Sequence, residues 1–362
     1  MIPLKTDCRF FRGDVPCKPH KQFGVHCVDE LGADCPHYDP VTKRILIIKL
    51  GAIGDVIRTT PLLRKLKEVH PSAAIYWLTH TPEILPASVD VPMAFSLNNI
   101  VTLRSIPFDI AYNLDKDREA CALLTQVSAH EKKGFTLTNG VIAPADEAAR
   151  AKYETGVFDD VSKINTKSYV QELFEICGFE FGGEPYILDN FASRGYSWKL
   201  GRKKGVIGLN TGCGGRWTSR LWADKNWKAL ASTLKKSGFE VVLLGGAQED
   251  TKNKRLAKAS GVKYFGHFPL SQFINLVDQC DLVVTGVTMA MHITIGLGKK
   301  IVLFNNIFNR HEFDLYNNGI LLEPSRPCRC FYQATCTNED YQCMDYLSVK
   351  DVAGACRTLL NH

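Results

Sequence analysis

One local pattern, a strand followed by a glycine-containing loop and a helix, opens the chain's folded part and then restarts midway. Arg44-Ile-Leu-Ile-Ile-Lys-Leu50 is a continuous apolar run. It leads into the loop Gly51-Ala-Ile-Gly-Asp55, and Val56, Leu62, Leu63 and Leu66 then recur at helical spacing up to Pro71 and Ser72. An apolar run without alternation predicts a strand covered on both faces, so this order opens a βαβ unit. Lys204-Gly-Val-Ile-Gly-Leu-Asn210, the loop Thr211-Gly-Cys-Gly-Gly215 and a helix over 227–236 repeat it. Further strands are predicted at 74–79, 109–114, 239–244, 281–285 and 300–304, with helices near 119–128, 167–177, 249–259 and 348–360. Two such halves imply an α/β architecture of two facing, Rossmann-like doubly wound domains. A ligand then belongs in the cleft at the carboxyl ends of the strands.

The expected division is a Cys-rich extension over 1–43, a first α/β domain over 44–190, a second over 200–345 and a closing helix over 346–362. Residues 186–203, after Pro185 and with Gly195 and the basic 199–204 stretch, are the expected linker. With 45% hydrophobic and 23% charged residues the chain fits two cores, and its apolar runs fall far short of the roughly 20 residues needed to span a bilayer. Charges occupy the place where a signal peptide needs its apolar segment, which points to the cytoplasm. The net charge of +6 is spread along the chain, which suits a basic cleft or an acidic membrane surface and argues against nucleic acid.

Three segments carry chemistry. Asp55, at the tip of the first strand, either caps the following helix or serves as a base that takes a proton from an attacking hydroxyl. In Asn210-Thr-Gly-Cys-Gly-Gly-Arg-Trp-Thr-Ser-Arg220, small residues admit phosphate oxygens to backbone N–H groups, while Arg216 and Arg220 supply fixed positive charge. The alternative there is a surface turn with both arginines in solvent. In Thr285-Gly-Val-Thr-Met-Ala-Met-His292 a hydroxyl and first-turn amides suit phosphate, and His292 by itself reads as structural. Asp115-Lys-Asp117 has the form of a metal-binding DxD, a three-residue match with little specificity.

Together, in this order and spacing, the segments resemble the ADP-heptose:lipopolysaccharide heptosyltransferase family, glycosyltransferase family 9, over roughly residues 44–360. The resemblance is most specific over Ile47 to Leu62, at Arg220-Leu-Trp222 with Trp227, and over Val284 to Phe304. It implies the GT-B fold and an inverting transfer of heptose or a related sugar, with ADP-heptose the expected donor and a lipopolysaccharide core or other glycan the acceptor. It puts the general base on Asp55, a donor-phosphate contact on Arg220 where many members have Lys, and a nucleoside contact on Glu249. Thr211, Gly212, Arg216, Thr288, Met289, Ala290 and His292 complete the expected donor site. The family commonly carries Asp-Thr-Gly-x-x-His where this chain has Val287-Thr-Met-Ala-Met-His292, so Thr288 and His292 match while the Asp and Gly do not. No cofactor is expected for catalysis, because basic groups can supply the charge that a divalent ion would. The expected partners are a nucleotide sugar and a glycan or glycolipid, with peripheral association at the inner face of the membrane. Other readings are a different nucleotide sugar, a protein acceptor, a nucleotide-sugar epimerase, or a non-catalytic glycan-binding or assembly protein on the same fold.

The 13 cysteines are unevenly placed. Cys8, Cys17, Cys27 and Cys35 precede the first strand with spacing C-x8-C-x9-C-x7-C, wider than ordinary zinc modules, and His20, His26 and His37 lie among them. In a reducing compartment they read as ligands of a structural zinc or iron, with independent thiols as the alternative. Cys328, Cys330, Cys336 and Cys343 form a tighter set that either makes a second site or completes the first.

Overall fold

A computed structural model describes residues 3–189, 196–201 and 204–360. The expected linker residue Gly195 lies outside these, as do the last two residues of the closing helix segment. The first sheet has six strands: β1 (Lys43–Ile48), β2 (Ala73–Thr79), β3 (Val91–Ala94), β4 (Pro107–Asn113), β5 (Ser128–Thr138) and β6 (Val141–Pro144). Their order is β3-β2-β1-β4-β5-β6. All neighbours run parallel except β6, which folds back antiparallel on β5. The second sheet joins β7 (Val206–Asn210), β8 (Glu240–Leu244), β9 (Leu282–Gly286), β10 (Lys300–Phe304) and β11 (Gly319–Leu322) in the order β11-β10-β9-β7-β8, all parallel. This is the GT-B arrangement of two α/β halves. Among the described residues no helix is long and apolar enough to cross a membrane.

The apolar runs behave as their composition requires. Ile45, Leu46, Ile47 and Ile48 are all fully buried, since β1 is central and helices cover both faces of its sheet. In the second half the helix Asp224–Lys236 buries Trp227, Leu230, Ala231 and Leu234, a stripe at helical spacing, with Asp224 in its first turn and Lys235 and Lys236 in its last. The closing helix Val349–Leu360 packs Val352, Ala353 and Cys356 into the same core as Trp222, Trp227 and Leu230.

Three expectations are corrected. The helix expected from Val56 to Pro71 is two helices, Ile53–Thr59 and Leu62–Val69, because Pro61 has no N–H to continue the ladder and crowds the preceding turn. The start of the expected linker is packed: Tyr186 and Leu188 are buried, and the Ile187 N–H donates to Thr60 Oγ1 at 2.8 Å. Strands β3, β5, β6 and β11 were not anticipated, since β3, β6 and β11 are only four residues each and β5 carries His130, Glu131, Lys132 and Lys133 in its middle.

The halves meet where helix Ile53–Thr59 crosses helix Met289–Gly296. Gly54 faces the His292 ring so closely that a Cβ there would lie 2.4 Å from His292 Cδ2. Asn309 of the second half also donates to the Ser162 and Asn165 carbonyls of the first, each at 2.6 Å. Gly54→Ala is therefore expected to destabilise the fold by about 1–3 kcal/mol, the usual cost of overpacking. Chemical denaturation should show that loss, and the double variant with His292→Ala should recover part of it. A strictly additive double variant would remove the contact from the account.

Candidate active site

Asp55 lies in the first turn of helix Ile53–Thr59, just beyond the carboxyl end of β1. One carboxylate oxygen pairs with Arg58 at 2.8 Å, and the other accepts the Ala52 N–H at 3.3 Å. The capping contact is thus made, and its length leaves lone pairs on the carboxylate free. Burial alone would raise the Asp55 carboxyl, but the charges of Arg58 and then Lys49 hold it below the usual carboxylate range. Asp55 is therefore an anion at neutral pH.

Arg58 is buried and shared. Its second nitrogen pairs with Glu312 of the other half at 3.1 Å, and the guanidinium plane lies 3.3 Å from the Tyr169 ring centre. Beneath the loop, Asp115 accepts the Leu50 N–H at 2.9 Å and the Gly51 N–H at 3.3 Å, and it pairs with buried Lys49 at 3.3 Å. Asp115 therefore holds the Asp55 loop, which accounts for half of the DxD match without a metal. Beside Arg58, a cavity of about 380 Å³ between the halves is lined by Lys116, Lys152, Lys167, Tyr169 and Glu312, among others. Burial, and then the neighbouring Lys152, push the Lys116 amine down to about 8.

The expected donor residues gather at the carboxyl ends of β7, β8 and β9. Thr211 is buried and donates to Asn253 at 2.5 Å, while its carbonyl accepts from Lys252 at 2.8 Å. Gly212 lies against the Glu249 side chain, whose carboxyl carbon stands 2.1 Å from where a Cβ would be. Glu249 also accepts the Gly246 N–H at 3.0 Å. Thr288 precedes helix Met289–Gly296, and its hydroxyl lies 3.1 Å from Thr285 Oγ1 and 3.3 Å from Asn210 Nδ2. Met289 and Ala290 form the first turn of that helix.

The two arginines differ. Arg216 is exposed beside Trp217. Arg220 is half-buried, donates to the Val287 carbonyl and, at 3.4 Å, to the Cys213 carbonyl, and its Nε has no partner. Burial depresses its pKa somewhat. Among the described residues no carboxylate pairs with it, so a fixed cation stands at this loop without a counter-charge.

His292 turns away from the donor loop toward the helix crossing, stacked on Tyr186 with ring centres 6.2 Å apart. Its Nδ1 is buried without a partner. Arg58, Glu312, Lys49 and Lys116 were not among the expected site residues. Arg58 was legible as the i+3 partner of Asp55, whereas Glu312 lies 254 residues from Arg58 and leaves no local signal.

The two sets of four cysteines stand in different halves of the chain. Cys8, Cys17, Cys27 and Cys35 stand in the extension, unpaired by disulfides. In the second half the Cys330 and Cys336 sulfurs are 3.7 Å apart, and Asn306 donates to Cys343 at 3.3 Å and to the Ser219 carbonyl at 3.0 Å, tying that set to the Arg220 loop. Among the described residues no group of three or more His, Cys, Asp or Glu side chains is already disposed around one ion.

The family model described as glycosyltransferase family 9 (heptosyltransferase) matches residues 100–318, more than half of the chain. The chain belongs to glycosyltransferase family 9. It is thus a glycosyltransferase of the heptosyltransferase family, although the matched segment begins after the Asp55 loop. Among solved structures, this family 9 chain is similar to a family 9 glycosyl transferase from Veillonella parvula (18% identity, TM-score 0.67, covering 89% of this chain and 98% of that one). It is also similar to ADP-heptose LPS heptosyltransferase II of E. coli (17%, 0.64, 88% and 98%). A third is the iron-containing dodecameric glycosyltransferase TibC of enterotoxigenic E. coli (12%, 0.56, 89% and 77%). No curated protein sequence matches the chain.

The His292 environment generates a pH dependence. Burial first, and then the charge of Arg58, push the ring from its ordinary 6.5 down to about 3, against an upward pull from Asp55. Between those values the unfolded chain binds a proton that the folded chain refuses, so stability falls as pH falls through that window. The contribution approaches 1.4 kcal/mol per pH unit at most, roughly. Urea denaturation at neutral and mildly acid pH should show a steeper acid loss for the wild type than for His292→Asn. Equal slopes would mean the ring is protonated in the folded chain.

Proposed function

We propose that this family 9 transferase moves a heptose from ADP-heptose to a hydroxyl of a glycan or glycolipid acceptor of the lipopolysaccharide-core kind, with inversion at the anomeric carbon. The observation that carries the reading is that an ionised Asp55 on one half is matched on the other by an Arg220 cation with no carboxylate partner among the described residues. Both stand at carboxyl ends of the central strands, where open α/β sheets bind ligands. ADP-heptose as donor draws support from the family and from the name of the E. coli neighbour.

In this mechanism Asp55 takes the acceptor hydroxyl proton on the oxygen not paired with Arg58. The freed oxygen attacks the anomeric carbon, the bond from that carbon to the diphosphate oxygen breaks, and the nucleoside diphosphate leaves with the electron pair. Arg220, Arg216 and the amides around Gly212 and Met289 meet the growing diphosphate charge, so the reading assigns no metal to this step. Glu249, beside Gly212, meets the nucleoside in this reading. Thr211 holds the loop through Asn253, Thr288 and Ala290 shape its far wall, and His292 spaces the halves.

The first half, 44–190, then carries the acceptor, and the second, 200–345, carries the donor, with 346–362 as a packing helix. The lysines near Arg58 suit an anionic acceptor, and a lipid-linked one would draw the protein to the cytoplasmic face of the membrane. Structural zinc or iron is proposed for the cysteines, outside the transfer step; TibC, described as iron-containing, lends that some support.

Calorimetry with ADP, UDP, GDP, CDP and ADP-heptose tests the donor. Preference for ADP-heptose is expected, another base would replace the donor, and no binding at all would favour a non-catalytic assembly protein. Arg220→Ala is expected to weaken ADP binding by about 1.5–3 kcal/mol, as for a hydrogen bond to a charged group. Asp55→Asn should keep donor affinity and lose transfer by about a hundredfold or more, the contribution of a positioned base. Retained turnover in Asp55→Asn would take the base role from this residue.

A further inference from the structure

The amino-terminal extension is ordered without a core. From residue 3 to residue 42 only Pro19 is buried, and the regular structure is one short helix, Lys18–Phe23, with two isolated bridges pairing Cys8 with Pro40 and Val28 with Asp34. Segments of about 40 residues rarely hold a fold on apolar burial alone and need disulfides or metal. Its cysteines form no disulfide.

All four of them, Cys8, Cys17, Cys27 and Cys35, line a single cavity of about 460 Å³, and His20 and His26 stand on the same wall. Local backbone arranges the thiols. Cys17 caps the short helix and its sulfur accepts the His20 N–H at 3.4 Å, while the Cys35 sulfur accepts the His37 N–H at the same distance. The Cys35 N–H donates to the Cys27 carbonyl at 2.9 Å, which sets those two side by side on a small ladder. Amide donors aimed at sulfur are the outer contacts that orient a thiolate ligand around a metal. The Cys8 and Cys27 sulfurs have no hydrogen-bond partner among the described residues.

We propose that these four thiolates hold a transition-metal centre that folds the extension. A single zinc or iron ion lies about 2.3 Å from each sulfur, so the side chains would have to draw inward around it. An iron–sulfur cluster is larger than a single ion, so four cysteines that line one cavity reach it with less movement. The centre is structural: Arg9 anchors the extension to Asp90 at 2.6 Å and to the Ala73 carbonyl at 3.0 Å, at the amino end of β2, opposite the end of the sheet that carries Asp55. The proposal is independent of the donor and of the transferase mechanism.

The test uses the full chain, purified without oxygen, with zinc, iron and acid-labile sulfide measured per chain. Metal is expected in the wild type and in a Cys330→Ser, Cys336→Ser control, and to fall at least tenfold in Cys17→Ser, Cys27→Ser. Iron with equal sulfide identifies a cluster, and either metal without sulfide a single ion. Because the leader variant could lose metal simply by unfolding, cobalt(II) is also added to the metal-free Cys330→Ser, Cys336→Ser chain. A sulfur-to-cobalt charge-transfer band is expected there. Metal retained by the leader variant, or a wild type that holds no metal and a control that gives no such band, overturns the proposal.

Discussion

The crossing of helix Ile53–Thr59 with helix Met289–Gly296 sets the geometry on which the cleft depends. Gly54 has no side chain, so the His292 ring can lie against the backbone of the neighbouring helix. Asp55 is the next residue, so the contact that joins the halves also fixes where the carboxylate stands relative to the second sheet. Burial in that contact keeps His292 neutral, which spares the crossing an unpaired charge beside Arg58.

Much of the fold could be read from the sequence because it rests on local pattern. The apolar runs at Ile45 and Ile301 are strands in parallel sheets covered on both faces, and such strands show no alternation to confuse with a surface. Where packing decides, the sequence was silent. The charged middle of β5 gives no apolar signal, and Tyr186 and Leu188 belong to the join between the halves although their surroundings resemble a linker. Among the expected site residues, Asp55 stood out from its place after a strand, while Glu249 was expected only through the family resemblance. Glu312 and Lys116 were not, because their significance arises only when distant loops meet at Arg58.

The second half shows how one loop answers to two demands. Cys213 and Val287 offer carbonyls to Arg220 from loops after different strands, and Gly212 yields space to Glu249. The loop is braced from behind by Asn306 and by the segment that carries Cys330, through the Ser219 N–H bonded to the Ala334 carbonyl at 3.0 Å. The sequence around Arg220 is thus constrained by the irregular segment near residue 334 as well as by the two carbonyls that Arg220 bridges.

Arg58 grips one carboxylate from each half with the two arms of a single planar fork, Asp55 at 2.8 Å and Glu312 at 3.1 Å. A lysine, with one nitrogen, could not reproduce that rigid span. The consequence is a link between cleft width and proton affinity. If the halves draw apart, Glu312 leaves and the whole cation bears on Asp55, which weakens it as a proton acceptor. The proton affinity of Asp55 is then highest when both halves hold Arg58.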